Sequence, residues 1–124
     1  MIDFEKSAVF RLSQCSPQDI AGSVGPILIA GEEIVSCFKG GRDFVVFTNK
    51  RLIAVNVQGM TGKKRDFTSL PYGKIQAFSI ETAGTFDLDA ELELWFSGLG
   101  KVRLEFKGNT DIRVIGQMIA TYAL

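Results

Sequence analysis

Three groups of side chains in this chain have the types and spacing to bind something. Lys63-Lys64-Arg65 is its only run of three like charges, with Asp66 beside it. Such a run is either a phosphate-binding tip or a solvated hairpin end whose lysines keep an edge soluble. Asp87, Asp89, Glu91 and Glu93 recur at every second position, which on an extended strand aligns all four on one face. An extended strand spaces such carboxylates about 7 Å apart, too far for a calcium loop, and Lys101, Arg103 and Lys107 stand ready to neutralise them. A salt-bridged outer face is the expected use, with no metal site and no cofactor. Trp95 is the single tryptophan, and it falls among these charges.

Catalysis is not framed anywhere. The chain has no histidine, which removes the usual base near neutral pH and the commonest metal ligand. It has no Gly-x-Ser-x-Gly elbow and no phosphate-cradling glycine loop, and no base stands by Cys15 or the serines. No enzyme is expected. Cys15 and Cys37 lie too far apart for a Cys-x-x-Cys motif, which excludes a thioredoxin-like pair or a metal site on spacing. One disulfide between them stays open, although Cys37 among Ile34, Val35 and Phe38 reads better as a buried free thiol.

The frame that must position these groups is one domain of 124 residues, 46% hydrophobic and 23% charged, long enough to bury a core without staples. Fourteen basic residues balance fourteen acidic ones. No whole-surface attraction to nucleic acid or acidic lipid follows from that balance, and no strand alternates aromatic and basic residues as a nucleic-acid stacking platform would. No apolar stretch exceeds four residues, too short to span a bilayer. The first residues do not read as a secretory leader. A soluble cytoplasmic protein is expected.

Ile2, Phe4, Ala8, Val9 and Leu12 fall near helical spacing, and Ser16-Pro17 looks like an N-cap with proline at the first helical position. Residues 1–31 are therefore expected to form a short helical N-terminal extension. From Glu32 the period changes to two. The expected strands are Glu33–Lys39, Asp43–Thr48, Arg51–Val57, Lys64–Leu70, Lys74–Thr82, Leu88–Ser97 and Lys101–Lys107, joined by connections rich in Gly, Pro and Asn. Asn109 is expected to cap a helix over Thr110–Ala123 with an apolar stripe at Ile112, Ile115, Met118, Ile119 and Tyr122. In the last hairpin a loop at Gly98-Leu99-Gly100 places Trp95 opposite Arg103, Glu91 opposite Lys107 and Glu93 opposite Glu105 on the outer face.

Phe47-Thr48-Asn49-Lys50-Arg51-Leu52-Ile53 resembles the strand-turn-strand signature of the bacterial pleckstrin-homology-like domains. Leu70-Pro71-Tyr72-Gly73-Lys74-Ile75, followed by Phe78-Ser79-Ile80-Glu81, is similar to that family's connection between its fourth and fifth strands. The resemblance covers residues 32–124, the expected domain, and implies a mainly β, seven-stranded two-sheet barrel or sandwich capped by a C-terminal helix. It implies ring-like homo-oligomers in several bacterial members. In eukaryotic relatives it implies phosphoinositide binding through a basic loop between the first two strands. Here that connection is only Lys39-Gly40-Gly41-Arg42-Asp43, too short and too weakly basic for that motif.

In such a fold Arg42, Lys63 and Lys64 share one rim, a candidate anion-binding site. Trp95, Arg103 and Phe86 are the candidate interface, with Leu88 beside Phe86. Lys50 and Arg51 read as turn residues with Arg51 pointing outward. The expected function is a non-enzymatic, self-associating binding or scaffold module. A binder of an anionic small molecule or lipid headgroup at the rim is the alternative, and the protein itself is the expected partner.

Overall fold

The structure, a computed structural model, describes residues 1–4, 8–108 and 110–124, residues 8 and 9 by backbone only. Eight strands form one curled sheet in the order β5-β4-β3-β2-β1-β8-β7-β6. They are β1 (Ala8–Cys15), β2 (Ile34–Gly40), β3 (Asp43–Thr48), β4 (Arg51–Gln58), β5 (Lys64–Pro71), β6 (Ile75–Glu81), β7 (Ala90–Phe96) and β8 (Gly100–Phe106). Helix α1 (Pro17–Val24) follows β1, and helix α2 (Ile112–Ala123) ends the chain. The fold is therefore the mainly β, helix-capped architecture that the sequence implies, with one strand more than its period-two pattern marks.

The extra strand is β1, and it corrects the helical reading of the first residues. Phe10-Arg11-Leu12-Ser13 alternates in and out: Leu12 is fully buried opposite Phe106, while Arg11 lies opposite Glu105 on the outer face. β1 runs parallel to β8 and antiparallel to β2, so it bridges the two halves of the sheet. Gly40 admits it, and Gly100 admits Phe4 ahead of it. A Cβ at Gly40 would collide with the Arg11 carbonyl, and one at Gly100, whose φ is 130°, would lie 2.8 Å from the Phe4 carbonyl oxygen. Helix α1 does start where Ser16 and Pro17 place it. The Ser16 hydroxyl accepts from Gln18 N while Asp19 accepts from Ser16 N. Helix α2 is capped by Asp111, whose side chain accepts from Arg113 N. Asn109, the expected cap, lies outside the described residues.

The core fills the concave side. Phe38, Phe47, Leu52, Leu92, Leu104 and Phe106 pack there with α2 residues Ile112, Ile115 and Ile119. Each buried side chain of this size contributes roughly 1.5–3 kcal/mol. A second cluster lies on the convex side of the first half, where α1 residues Ile20 and Val24 meet Cys37, Val46, Ile53 and Val55. Strands β3 and β4 are thus covered on both faces, which accounts for the unbroken apolar runs Phe44–Phe47 and Leu52–Val55. Among the described residues no helix covers the convex face over β6, β7 and β8. No helix among the described residues is long and apolar enough to cross a membrane.

Candidate interaction surfaces

The uncovered convex face carries the candidate interface. The β7–β8 loop is Ser97-Gly98-Leu99, with Gly98 at φ 78°, and Phe96 pairs with Gly100. The pairing register therefore differs by two residues from the expected one, although every side chain keeps its expected face. Trp95 lies opposite Lys101 rather than Arg103, Glu93 opposite Arg103, and Glu91 opposite Glu105. On its other side Trp95 is flanked by Ala77 of β6. The indole is 46% exposed, and the Lys101 ammonium sits 5.3 Å from its ring centroid, a cation–π contact.

Arg103 occupies the middle of this face and is engaged by carboxylates. Its Nη2 lies 2.5 Å from Glu91 Oε1 and 3.3 Å from Glu105 Oε1. Lys101 pairs with Glu93 and Arg11 with Glu105, each at 3.3 Å. The hydrogen bond that Arg103 donates to Glu91 is the largest influence on the guanidinium and raises its pKa. Only Glu91 and Glu93 of the acidic row belong to β7. Asp87 and Asp89 lie in the preceding loop, where Asp87 accepts from Asp89 N. Among the described residues no three His, Cys, Asp or Glu side chains cluster as a metal site would require.

Phe86 and Leu88 are exposed in the β6–β7 loop, Phe86 completely. That loop leaves β6 beyond Glu81, which pairs with Glu91, whereas Trp95 lies near the other end of the hairpin. Four residues of strand, about 14 Å, separate Glu91 from Trp95. Along the hairpin, Phe86 therefore lies beyond the Glu91 end, Trp95 near the other end, and Arg103, bonded to Glu91, between them.

At the rim, Arg42 Nη1 donates to the Gly59 carbonyl at 2.6 Å, which ties the β2–β3 turn to the β4–β5 loop that ends at Lys63, with Lys64 opening β5. Both lysines are exposed. Arg65, next in the run, instead donates to Ser23 of α1. A neighbouring groove of about 460 Å³ is lined by Met1, Asp3, Phe10, Asp43, Asn56 and Gln58 among others, and none of Arg42, Lys63 or Lys64 lines it. Its two carboxylates, Asp3 and Asp43, oppose an anion there.

One polar centre escapes the sequence reading. Arg51 does not point outward. Its Nε and Nη2 bind the two oxygens of Glu32 at 2.9 Å each, Nη2 also reaches the Ile27 carbonyl, and Nη1 reaches the Ser69 hydroxyl. Thr48 donates to Glu32 at 2.7 Å, and Tyr72 donates to the Thr48 carbonyl at 2.7 Å. Asn49 clasps the same connector through Gly31 O and Glu33 N. The Arg51 hydrogen bond, outweighing the opposing effect of burial, lowers the Glu32 pKa to about 2. Thr48, Asn49 and Arg51 thus lock the 27–33 connector to the β3–β4 hairpin, while Lys50 stays exposed at its tip. A carboxylate two residues before β2 and an arginine at the start of β4 are the sequence hint, and neither names its partner.

A curled, mostly antiparallel sheet closed by one C-terminal helix, with a charge-laced convex face, is the form of a pleckstrin-homology module. The sequence matches the family described as Bacterial PH domain over residues 3–123, and the chain belongs to that family. It is 45% identical over 114 residues to the Bacillus subtilis (strain 168) protein YjqA, which bears the name "Uncharacterized protein", covering 90% of this chain and 91% of that one. Among solved structures it is similar to a DUF1696 family protein with a pleckstrin-homology domain from Shewanella loihica PV-4. The TM-score there is 0.79 at 42% identity, over 93% of this chain and 99% of that one. A pleckstrin homology domain from Shewanella amazonensis SB2B gives a TM-score of 0.66 at 47% identity, over 90% and 91% of the two chains.

Proposed function

We propose that this chain is a non-catalytic module that associates with copies of itself and serves as a binding or scaffold unit. The observation that carries this reading is Trp95: a large, rigid aromatic, 46% exposed, on a sheet face that no helix among the described residues covers. Large exposed aromatic side chains are frequent anchors of protein interfaces. The charges around it are paired within the chain, so an incoming surface meets little uncompensated charge. The sheet edge adjoining this face supports the same reading. Strand β6 has five of its seven residues exposed and only one charge, Glu81, whereas the other edge, β5, is guarded by Lys64, Arg65 and Pro71. Light scattering coupled to size exclusion, at low and at high salt, tests the proposal. A discrete multiple of 13.6 kDa is expected, and a monomer at every concentration would overturn it.

A second reading, binding of an anionic small molecule or headgroup, draws its support from Arg42, whose bond to Gly59 draws the two basic loops together at the rim. Titration with inositol hexakisphosphate is its test. Affinity that falls with salt and with Lys63→Ala/Lys64→Ala supports it, and a flat titration disposes of it.

A further inference from the structure

Cys15 and Cys37 are both free thiols, yet they are direct register partners across the β1–β2 seam. Their sulfurs lie 3.0 Å apart. A disulfide needs about 2.05 Å between sulfurs, and its Cβ separation of about 3.5–4.5 Å borders the 4.5–5.5 Å of directly opposed strand residues. Little more than side-chain rotation separates the pair from a bond. The two sulfurs also differ in access: Cys37 is 1% exposed, whereas Cys15, the last residue of β1, is partly open. We propose that Cys15 and Cys37 form a redox-active dithiol, in which the open Cys15 meets a low-molecular-weight disulfide and the buried Cys37 resolves the mixed disulfide.

The chemistry balances in two exchanges. Cys15 Sγ, as thiolate, attacks one sulfur of R–S–S–R, forms Cys15–S–S–R and expels one thiolate, which takes up a proton. Cys37 Sγ then gives up its proton and attacks the Cys15 sulfur, and the second R–S⁻ leaves and is protonated. Two thiols of the protein lose two electrons and two protons, and one R–S–S–R becomes two R–SH. Burial, and then the hydrogen bond shared with Cys15, pushes the Cys37 thiol up to about 12, which leaves the first attack to Cys15; Cys37 acts second because the Cys15 sulfur already lies 3.0 Å away. The consequence is local. The β1–β2 ladder has only three register pairs, Ser13–Lys39, Gln14–Phe38 and Cys15–Cys37, and the bond would staple its last one at the point where the chain turns into α1.

The test is incubation of reduced wild-type protein with oxidised glutathione, alkylation of remaining thiols, and intact-mass analysis. The proposal expects a monomer lighter by two hydrogens, without alkyl or glutathione groups, that melts at a higher temperature than the reduced form. Two alkylated thiols, a persistent glutathione adduct or covalently linked chains would each overturn it. Cys37→Ala should trap one glutathione on Cys15, and Cys15→Ala should leave Cys37 unmodified; a glutathione adduct on Cys37 in that variant would overturn the assigned order. The wild-type mass decides whether the dithiol closes even if a variant fails to fold.

Discussion

Arg51 holds Glu32 by two parallel N–H bonds of 2.9 Å across nineteen residues of sequence, in a position where the Glu32 side chain is fully covered. The pair joins the connector before β2 to the hairpin between β3 and β4. Its worth lies in the fact that neither member can be removed alone. Arg51→Met would strand a buried carboxylate, and the expected cost is about 3–5 kcal/mol in urea unfolding. Replacing both, as Glu32→Leu/Arg51→Met, should recover a large part of that loss. Equal destabilisation by single and double variants would show that the pair carries no coupling.

The same carboxylate sets an acid limit. Glu32 has its pKa lowered from 4.5 to about 2 in the folded chain, so its contribution is fully present above the unfolded value. It is lost as pH falls from about 4.5 towards 2, and by linkage amounts to roughly 3 kcal/mol. Stability of the wild type should therefore drop across that window. Glu32→Gln, already weakened, should show a shallower decline there. Parallel pH profiles for the two proteins would contradict the assignment.

Gly40 is required by what passes beside it rather than by its turn. A methyl group there runs into the Arg11 backbone carbonyl, and backbone cannot step aside as a flexible side chain can. Gly40→Ala should cost about 1–3 kcal/mol by overpacking and should loosen β1, seen as faster hydrogen exchange at Leu12 and Ser13. Gly41 lies immediately beyond in the turn and, at φ 59° with open space around it, should report strain without that loss of β1 protection when changed to Ala.

Trp95, as the only tryptophan, is its own probe. If it anchors association, its fluorescence should shift to the blue as the protein is concentrated, and Trp95→Ala should lower the assembled mass. The thermal stability of the isolated chain should hardly change, because the indole contributes a half-exposed contact with Lys101 of about 0.5–1 kcal/mol. Unchanged mass for the variant would remove Trp95 as the anchor.

The period-two pattern located β2 to β8 within one or two residues because those strands bear alternating or doubly buried apolar sets, and turn residues punctuate them. The faces of β7 and β8 were legible for the same reason. Their partners were not: moving the loop from Gly98–Gly100 to Ser97–Leu99 slides the ladder by two residues, and a shift of two preserves every face. That is why Trp95 could be placed outward from sequence while its neighbour proved to be Lys101. Arg42 and Lys63 could likewise be placed in adjoining loops, but the bond from Arg42 to Gly59 depends on how those loops curl.

Taken by itself, the amino-acid order determined the alternation of strands, the turn positions, the start of α1 at Ser16 and the apolar stripe of α2, because these rest on periodicity and local backbone preference. Only the tertiary structure decided that Ala8–Cys15 is a strand, since Phe10 to Ser13 owe their extended form to β8 and β2 on either side. Likewise it alone decided that Arg51 turns inward to Glu32, that α1 covers one half of the convex face and leaves Trp95 bare, and that Cys15 meets Cys37. Each of these joins residues distant in the chain, and contacts of that kind leave no period in the sequence by which to find them.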